Sequence, residues 1–186
     1  ERVAFWEAVG FQRAILAREL SLDQIREVRA RTSTIELESF VHGALCVSYS
    51  GQCYLSYALG GRSGNRGQCA QPCRRPYKLV DKNGTVLQDK RYLLSLRDLN
   101  LSDDLPALLE AGVTSFKIEG RYKSIDYVKN VTAAFRQTID QFIGGHPDYC
   151  RSSSGTSDFK FSPDPARTFN RGYTEYFIHG RREKVG

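Results

Sequence analysis

The alternation of apolar and polar positions divides the start of the chain into a strand, a helix and a second strand. A nearly continuous apolar run at residues 13–18 is typical of a strand buried on both faces. Ser21 and Gln24 have the spacing of a capping box, and apolar residues at helical spacing follow them. In the next predicted strand, residues 34–41, apolar and acidic side chains alternate and therefore point to opposite faces.

A second set of elements follows a stretch rich in cysteine and glycine. The Asn-Gly pair at residues 83–84 lies between two apolar runs, which predicts a β-hairpin. Residues 93–96 are predicted to form a further short strand. Ser102 is predicted to cap a helix that Gly112 ends.

The last strongly patterned elements are a strand and a long helix. Residues 114–119 alternate, with Phe116 and Ile118 on one face and polar side chains on the other. Ser124 is predicted to cap the helix, whose apolar stripe consists of Ile125, Val128, Thr132, Phe135, Ile139 and Phe142.

The repeated alternation of strand and helix predicts an α/β fold with a parallel sheet. A closed β/α barrel has about 250 residues, whereas this chain of 186 residues offers three convincing barrel strands. We therefore expect residues 1–149 to be the C-terminal part of a TIM-like β/α barrel, with a cysteine-rich, cluster-binding loop at residues 42–76. A polar linker begins at residue 150, and residues 150–186 are expected to contain this linker and the start of a C-terminal β-rich domain.

Composition narrows the class of protein further. The sequence has no apolar run long enough for a membrane span, and its N-terminus has neither Met nor a signal-peptide pattern. Its first residues resemble the end of a helix, so we expect a piece of a longer protein. Five cysteines without a secretory signal favour the reducing cytoplasm over a disulfide framework. The net charge of +6 is compatible with an anionic partner.

Four of the five cysteines lie together in the glycine-rich stretch. Cys46, Cys53, Cys69 and Cys73 are separated by six, fifteen and three residues. Buried free thiols explain this grouping less well than ligands of one metal centre do. The spacing favours an iron–sulfur cluster slightly over zinc, because four-cysteine zinc sites usually use more closely spaced pairs. Cys150 stands apart and is interpreted as a bystander.

Charged side chains of two predicted strands form a second candidate site. Glu38 lies on one strand, and Lys117, Glu119 and Arg121 lie on or just after the other. Side chains at the C-terminal ends of barrel strands face the substrate. Arg18, after the first strand, would join them, since arginine suits a carboxylate or phosphate. A salt-bridged barrel interior explains the same charges equally well.

A histidine close to the first cysteine raises a different hypothesis. His42 precedes Cys46 by four residues, which allows a Cys–His protease pair to be considered. Packing of this histidine at the end of a strand is the simpler explanation. The metalloprotease motif HExxH and the hydrolase motif GxSxG do not occur in the sequence.

A signature in residues 38–56 resembles a known family. It runs Glu38-x-Phe40-x2-Gly43-Ala44-Leu45-Cys46-x4-Gly51-x-Cys53-x-Leu55-Ser56. Every fixed position is similar to the signature of the collagenase-like peptidases of family U32. The segments ARELSL, SFKIEGRYKS and RTFNRGYTEYF also resemble this family, and the last resembles its branch of ribosomal RNA cytidine hydroxylases.

The resemblance implies a β/α barrel followed by a β-rich domain, and a 4Fe-4S cluster on Cys46, Cys53, Cys69 and Cys73. Members of the family take part in hydroxylating tRNA uridine, ribosomal RNA cytidine or ubiquinone precursors, and the RNA-modifying branches are linked to prephenate. Other members carry a peptidase or collagenase label.

These observations together predict an iron–sulfur enzyme that takes part in hydroxylating a pyrimidine in ribosomal or transfer RNA, with prephenate as a possible carboxylate co-substrate. The alternatives are a collagenase-like hydrolase, a hydroxylase of a small molecule, and a non-catalytic RNA-binding piece with a structural zinc. The residues expected to hold RNA phosphates are Arg62, Arg66, Arg74 and Arg75.

Overall fold

A computed structural model of the chain describes residues 1–181. The chain divides into two compact units. The first, which we call the sheet unit, comprises residues 1–44 and the residues from 98 onward. The second, which we call the cysteine unit, is Leu45–Arg97.

Both units contain short strands and helices. In chain order, the strands are β1 (Arg13–Ile15), β2 (Glu36–Gly43), β3 (Tyr77–Val80), β4 (Val86–Arg91), β5 (Asp98–Asn100), β6 (Val113–Glu119) and β7 (Tyr173–Thr174). The α-helices are α1 (Arg2–Ala8), α2 (Leu22–Ala30), α3 (Leu55–Gly60), α4 (Leu105–Glu110) and α5 (Ile125–Gly145). Short 3-10 turns occupy Gly64–Arg66, Pro72–Arg74 and Pro165–Arg167.

Strand β2 is the centre of the sheet unit. It pairs in parallel with β1 and, along nearly its whole length, with β6. Strand β5 pairs antiparallel with the end of β2, and β7 pairs in parallel with β5. The predicted α/β class with parallel strands is therefore confirmed. Within residues 1–181 the five strands form an open sheet, so the barrel stays a prediction.

The core of the sheet unit combines the sheet with apolar side chains of three helices. Leu37 and Val41 of β2 are fully buried, and so are Ile25 of α2, Leu108 of α4 and Val131 of α5. The 21-residue α5 is the longest helix, yet no helix in residues 1–181 has the length and apolar character needed to cross a bilayer.

Several local predictions are confirmed because they depend on neighbouring residues only. The Ser21 side chain accepts the Gln24 N–H, and the Gln24 side chain accepts the Ser21 N–H, which completes the capping box of α2. The Ser124 side chain caps α5 by accepting the Tyr127 N–H. Strands β3 and β4 form the predicted antiparallel hairpin around residues 83–84.

Other predictions are wrong in detail. Strand β1 is buried on one face only, since Ile15 is 51% exposed while its neighbours Ala14 and Leu16 are buried. Residues 93–94 form a turn, residues 95–96 have no regular structure, and the strand begins at Asp98. Helix α4 begins at Leu105 after Asp104, so Ser102 is not its cap.

The predicted apolar stripe of α5 is also wrong in its first half. Ile125 is 71% exposed and Val128 is 51% exposed. The helix instead buries its side chains at Tyr127, Val131, Ala133, Phe135 and Phe142. Tyr127 displaces the predicted residues because its hydroxyl has hydrogen-bond partners inside the sheet unit.

The segment after residue 150 returns to the sheet unit. Its strand β7 pairs with β5, and the Leu22 N–H donates to the Ile178 carbonyl. The Asn130 side chain bonds the backbone of Asp164 in both directions. A β-rich domain starting in this region stays a prediction.

Candidate functional site

Two irregularities in the pairing of β2 with β6 set the positions of the polar side chains. Leu37 pairs with Val113 but Glu38 pairs with Ser115, so Thr114 is an extra residue in β6. Phe40 pairs with Lys117 but His42 pairs with Ile118, which makes a second shift in β2. Bulges of this kind re-aim side chains and are frequent beside active sites.

Glu38 is the centre of a polar cluster on the sheet. Its carboxylate accepts the Ser115 hydroxyl at 2.8 Å and lies 3.4 Å from an Arg13 guanidinium nitrogen. The ammonium nitrogen of Lys117 is 3.9 Å from the other carboxylate oxygen. The Glu38 side chain is only 12% exposed, whereas Lys117 is 39% exposed. Glu38 is thus held by three partners, and Lys117 retains access to solvent.

Two cations approach the ring of Phe40 beside this cluster. The Lys117 ammonium lies 5.2 Å from the ring centroid, and the Arg18 guanidinium carbon lies 5.9 Å from it. Cations at this distance are attracted by the ring quadrupole. The structure therefore brings Glu38, Lys117 and Arg18 together around an aromatic ring that the prediction did not use. Glu38 is the third residue of β2, so it does not lie at the C-terminal end of the strand as predicted.

Glu119 and Arg121 lie at the end of β6. The Glu119 carboxylate accepts the backbone N–H of Arg121 at 3.2 Å, which closes a tight turn. The Glu119 backbone stands against Gly43, where a Cβ atom would lie 2.0 Å from the Glu119 carbonyl oxygen. The catalytic role predicted for these two residues stays a prediction.

A buried His–Tyr pair supports the same strand end. The Tyr127 hydroxyl donates to the Glu119 carbonyl at 3.1 Å, and His42 Nδ1 lies 2.9 Å from that hydroxyl. Because the tyrosine has a single proton to donate, His42 Nδ1 carries a hydrogen and acts as the donor. Burial lowers the pKa of His42 to about 4, and Nε2 is buried without a hydrogen-bond partner in the described part of the chain. His42 is therefore a neutral core residue, in agreement with the packing explanation.

A buried aspartate joins the strand ends to the segment after residue 150. Asp98 is 1% exposed and lies 3.0 Å from an Arg171 guanidinium nitrogen and 3.8 Å from the Lys123 ammonium. Lys123 also donates to the Phe169 carbonyl at 2.9 Å. This network fixes the turn after β6 against residues 169–171.

The four grouped cysteines belong to the cysteine unit and are all free thiols. The pKa of the Cys73 thiol is raised, mainly by burial. The Arg74 guanidinium opposes this effect, whereas the thiols of Cys46, Cys69 and Cys53 add to it. The other three thiols are therefore near enough to Cys73 to interact with it electrostatically. The predicted loop is partly helical, since α3 and two 3-10 turns lie within it. Cys150 lies outside this unit, in the position expected of a bystander.

One backbone donor is already directed at a sulfur. The Gln71 N–H donates to Cys69 Sγ at 3.2 Å, and Gln71 adopts φ +56, a conformation unusual for a residue with a side chain. Hydrogen bonds to sulfur are among the features that tune iron–sulfur centres. Thiolates are by their chemistry ligands of such clusters and of zinc, so the metal centre stays a prediction. Within residues 1–181, no three His, Cys, Asp or Glu side chains are arranged to hold a metal ion.

Several of these residues carried no recognisable signal in the sequence. Asp98 and Arg171 acquire their contact only because distant segments meet. Gln71 contacts Cys69, two residues away, through a left-handed backbone conformation that its residue type does not indicate. Tyr127 had a weak signal, because a tyrosine beside an apolar stripe gives an alternative register for the buried face of α5.

Comparison with known proteins identifies relatives of the whole chain. A family model described as peptidase family U32 matches residues 1–185. The 23S rRNA 5-hydroxycytidine C2501 synthase of Escherichia coli K12 is 50% identical over 186 residues, which is 100% of this chain and 28% of that protein. The tRNA hydroxylation protein P1 of Bacillus subtilis 168 is 42% identical over 75% of this chain and 34% of its own length.

A relative named as a collagenase matches over nearly the whole of this chain. A collagenase of Porphyromonas gingivalis W83 is 35% identical over 90% of this chain and 42% of its own length. The chain thus spans less than half the length of each of these relatives. No solved structure matches the chain.

Proposed function

Since the chain belongs to peptidase family U32, we propose that it serves in the hydroxylation of a pyrimidine base in ribosomal or transfer RNA. The observation that carries this proposal is the 50% identity, over all 186 residues, to a synthase named for 5-hydroxycytidine in 23S rRNA. The relative named for tRNA hydroxylation supports the same chemistry on a second kind of RNA.

The polar cluster around Phe40 suits the binding of a flat base or a carboxylate. An aromatic ring is a stacking surface for an unpaired pyrimidine, and a base must leave its stack to enter a protein site. Lys117 and Arg18, which flank that ring, would attract a carboxylate co-substrate such as prephenate. Glu38 would orient Lys117, while Glu119 and Arg121 would contact the substrate at the end of β6.

The cofactor proposed for the grouped thiols is a 4Fe-4S cluster, with zinc as the alternative. Cys46, Cys53, Cys69 and Cys73 would be the ligands, and the Gln71 N–H would donate to the sulfur of Cys69. Such a cluster supplies one-electron transfer when it is bound. Replacing a C–H bond of a pyrimidine by C–OH removes two electrons from the base, so an electron acceptor and an oxygen donor belong to the reaction.

The collagenase relative makes hydrolysis of a peptide the second candidate. That reaction needs a nucleophile activated by an oriented base. His42, the candidate base, is buried and uses Nδ1 to bind Tyr127, and its pKa of about 4 makes it a weak base. These contacts favour hydroxylation over a thiol peptidase mechanism.

Nucleoside analysis in a deletion strain tests the proposal. We expect mass spectrometry to find one hydroxylated pyrimidine missing from ribosomal or transfer RNA when the gene is deleted. The wild-type gene and Cys150→Ala should restore it, whereas Cys53→Ala should not. The Cys53→Ala protein should also contain less iron and acid-labile sulfide after anaerobic purification.

Three results would contradict parts of the proposal. An unchanged set of modified nucleosides in the deletion strain would reject RNA hydroxylation. Stoichiometric zinc without sulfide would reject the cluster alone. Peptide cleavage by the purified full-length protein that His42→Ala abolishes, with the fold intact, would favour the hydrolase.

A further inference from the structure

The net positive charge of the chain is concentrated in one of its two units. The cysteine unit contains nine basic residues and two acidic residues, which gives it a charge of +7. The whole chain has a charge of +6, so all other residues together contribute −1. The basic residues of the unit are Arg62, Arg66, Arg74, Arg75, Lys78, Lys82, Lys90, Arg91 and Arg97.

Helix α3 of this unit exposes its apolar side chains and buries a polar one. Its buried residue is Ser56, whose hydroxyl accepts the Ala70 N–H at 2.9 Å. Tyr57 and Leu59 are 60% and 65% exposed, and Tyr54, immediately before the helix, is 67% exposed. Tyr54 and Tyr57 are three residues apart and therefore lie on the same face of the helix. Both phenol rings are thus exposed to solvent.

Residues 61–75, which follow α3 in the cysteine unit, contain four of its arginines. The turn Pro72–Arg74 packs against α3, and the Arg62 guanidinium donates to the Gln68 carbonyl at 3.0 Å. Arg62, Arg66 and Arg75 are exposed. Two exposed tyrosines and three exposed arginines therefore belong to one compact region around the four thiols.

Not every cation of the unit is available to a partner. Arg74 donates to the Ser95 hydroxyl at 2.8 Å, to the Leu96 carbonyl at 3.1 Å and to the Leu45 carbonyl. It therefore ties the two ends of the unit together, and its phosphate contact stays a prediction outside the surface proposed below. Lys78 pairs with Asp89 at 3.5 Å.

Two cavities of the sheet unit are lined by acidic side chains. One, of about 230 Å³, is lined by Asp103, Asp104 and Glu175 among others, and another, of about 400 Å³, includes Asp140 and Asp158. Carboxylates repel phosphates, and the arginines near the second cavity, Arg136 and Arg151, already pair with Asp140.

We propose that the cysteine unit is the RNA-binding element of this protein, with Tyr54 and Tyr57 stacking on unpaired bases and Arg62, Arg66 and Arg75 contacting phosphates. The combination of aromatic platforms with an array of cations is the chemistry that binds single-stranded nucleic acid. Stacking tolerates any base, so this surface supplies affinity and leaves the choice of base to the site of hydroxylation. The inference rests on the proposed function for its choice of RNA over another polyanion.

The test measures binding of a labelled single-stranded oligouridine to the full-length protein over a series of salt concentrations. Replacing Arg62, Arg66 and Arg75 together by Gln should lower the slope of log affinity against log salt by about 2, since each phosphate contact contributes about 0.7. Tyr54→Ala with Tyr57→Ala should weaken binding roughly thirtyfold or more at constant slope, since each of the two stacked bases contributes about 1 kcal/mol or more and every 1.4 kcal/mol is about tenfold. Circular dichroism and iron content should match the wild type in every variant.

A matched control removes three exposed cations of the sheet unit. Arg2, Arg31 and Lys129 are exposed, and their joint replacement by Gln changes the charge equally. This control should leave the salt slope unchanged. An equal loss in the control, or no loss in the cysteine-unit variants, would overturn the proposal. Variants that bind RNA normally but lose a protein partner would assign the surface to that partner and also overturn it.

The experiments can support the RNA-binding surface and reject the hydroxylation reaction, or the reverse. Suppose that the wild-type protein binds RNA, that the three arginine replacements reduce this binding, and that deleting the gene leaves the modified nucleosides unchanged. These results would support the surface and reject hydroxylation. Suppose instead that the hydroxylated nucleoside depends on the gene and yet persists when the arginine variant replaces the wild type, with unchanged affinity for RNA. That result would reject the surface and support hydroxylation.

Discussion

Replacing Gly43 by alanine should strongly destabilise the sheet unit. Gly43 has φ +108, a conformation that side-chain-bearing residues rarely adopt, and its Cβ would lie 2.0 Å from the Glu119 carbonyl oxygen. Real Cβ atoms essentially never approach another heavy atom within 3.0 Å, so β2 and β6 would have to separate by about an ångström. That carbonyl also accepts the Tyr127 hydroxyl, so the separation would disturb a buried hydrogen bond.

The size of the effect follows from three contributions. The backbone conformation costs about 1–3 kcal/mol for a residue with a side chain. Overpacking costs about 1–3 kcal/mol, and a weakened hydrogen bond adds about 1 kcal/mol. We therefore expect Gly43→Ala to lower the free energy of unfolding by about 3–7 kcal/mol, a large part of the 5–15 kcal/mol typical of a domain.

Gly10→Ala is the control that separates strain from collision. Gly10 has φ +94, and a Cβ there would meet nothing within 4 Å. Only the backbone contribution of about 1–3 kcal/mol should therefore appear. Urea denaturation of the full-length protein, followed by circular dichroism, measures both variants. Equal losses in the two variants would refute the proposed contact between Gly43 and Glu119.

Two further predictions concern buried or capped ionisable groups. NMR titration should give His42 a pKa near 4. Because this folded-state pKa lies below the ordinary value of 6.5, the neutral histidine contributes its full stability above pH 6.5. The free energy of unfolding should then fall by about 3 kcal/mol as the pH drops to 4. His42→Gln should remove that pH dependence, and a pKa near 6.5 would contradict the burial argument. The Glu7 carboxylate accepts backbone N–H groups of Ile35, Thr34 and Ser33, which lowers its pKa to about 2, so its contribution is present above pH 4.5 and is lost as the pH falls towards 2. Glu7→Gln should therefore accelerate hydrogen exchange at these three amides, and unchanged exchange would show that the carboxylate does not hold them.

The candidate site was predictable where parallel strands and local spacing determine it. The four thiols are close in the sequence, so only a short segment has to fold to gather them. Glu38 and Lys117 meet because β2 and β6 are adjacent parallel strands, and Lys117 lies two residues beyond Ser115, the partner of Glu38. The bond from Ser115 to Glu38 was not predictable, since it depends on an extra residue at the bulge in β6.

The sequence by itself determined the elements whose stabilising contacts lie within a few residues. Ser21 with Gln24 and Ser124 with Tyr127 are such contacts, and the Asn-Gly turn of the hairpin is another. It also determined the family, because the signature around Cys46 and Cys53 is contiguous.

Only the tertiary structure decided which apolar residues are buried and which charged groups meet. Ile15 and Val128 are exposed although their segments are apolar, whereas the charged Asp98 is buried. Burial depends on which distant segment packs against a side chain, and Arg171 reaches Asp98 across 73 residues of sequence. Local spacing contains no information about such a partner, because the chain must first close a long loop before the two charges can interact.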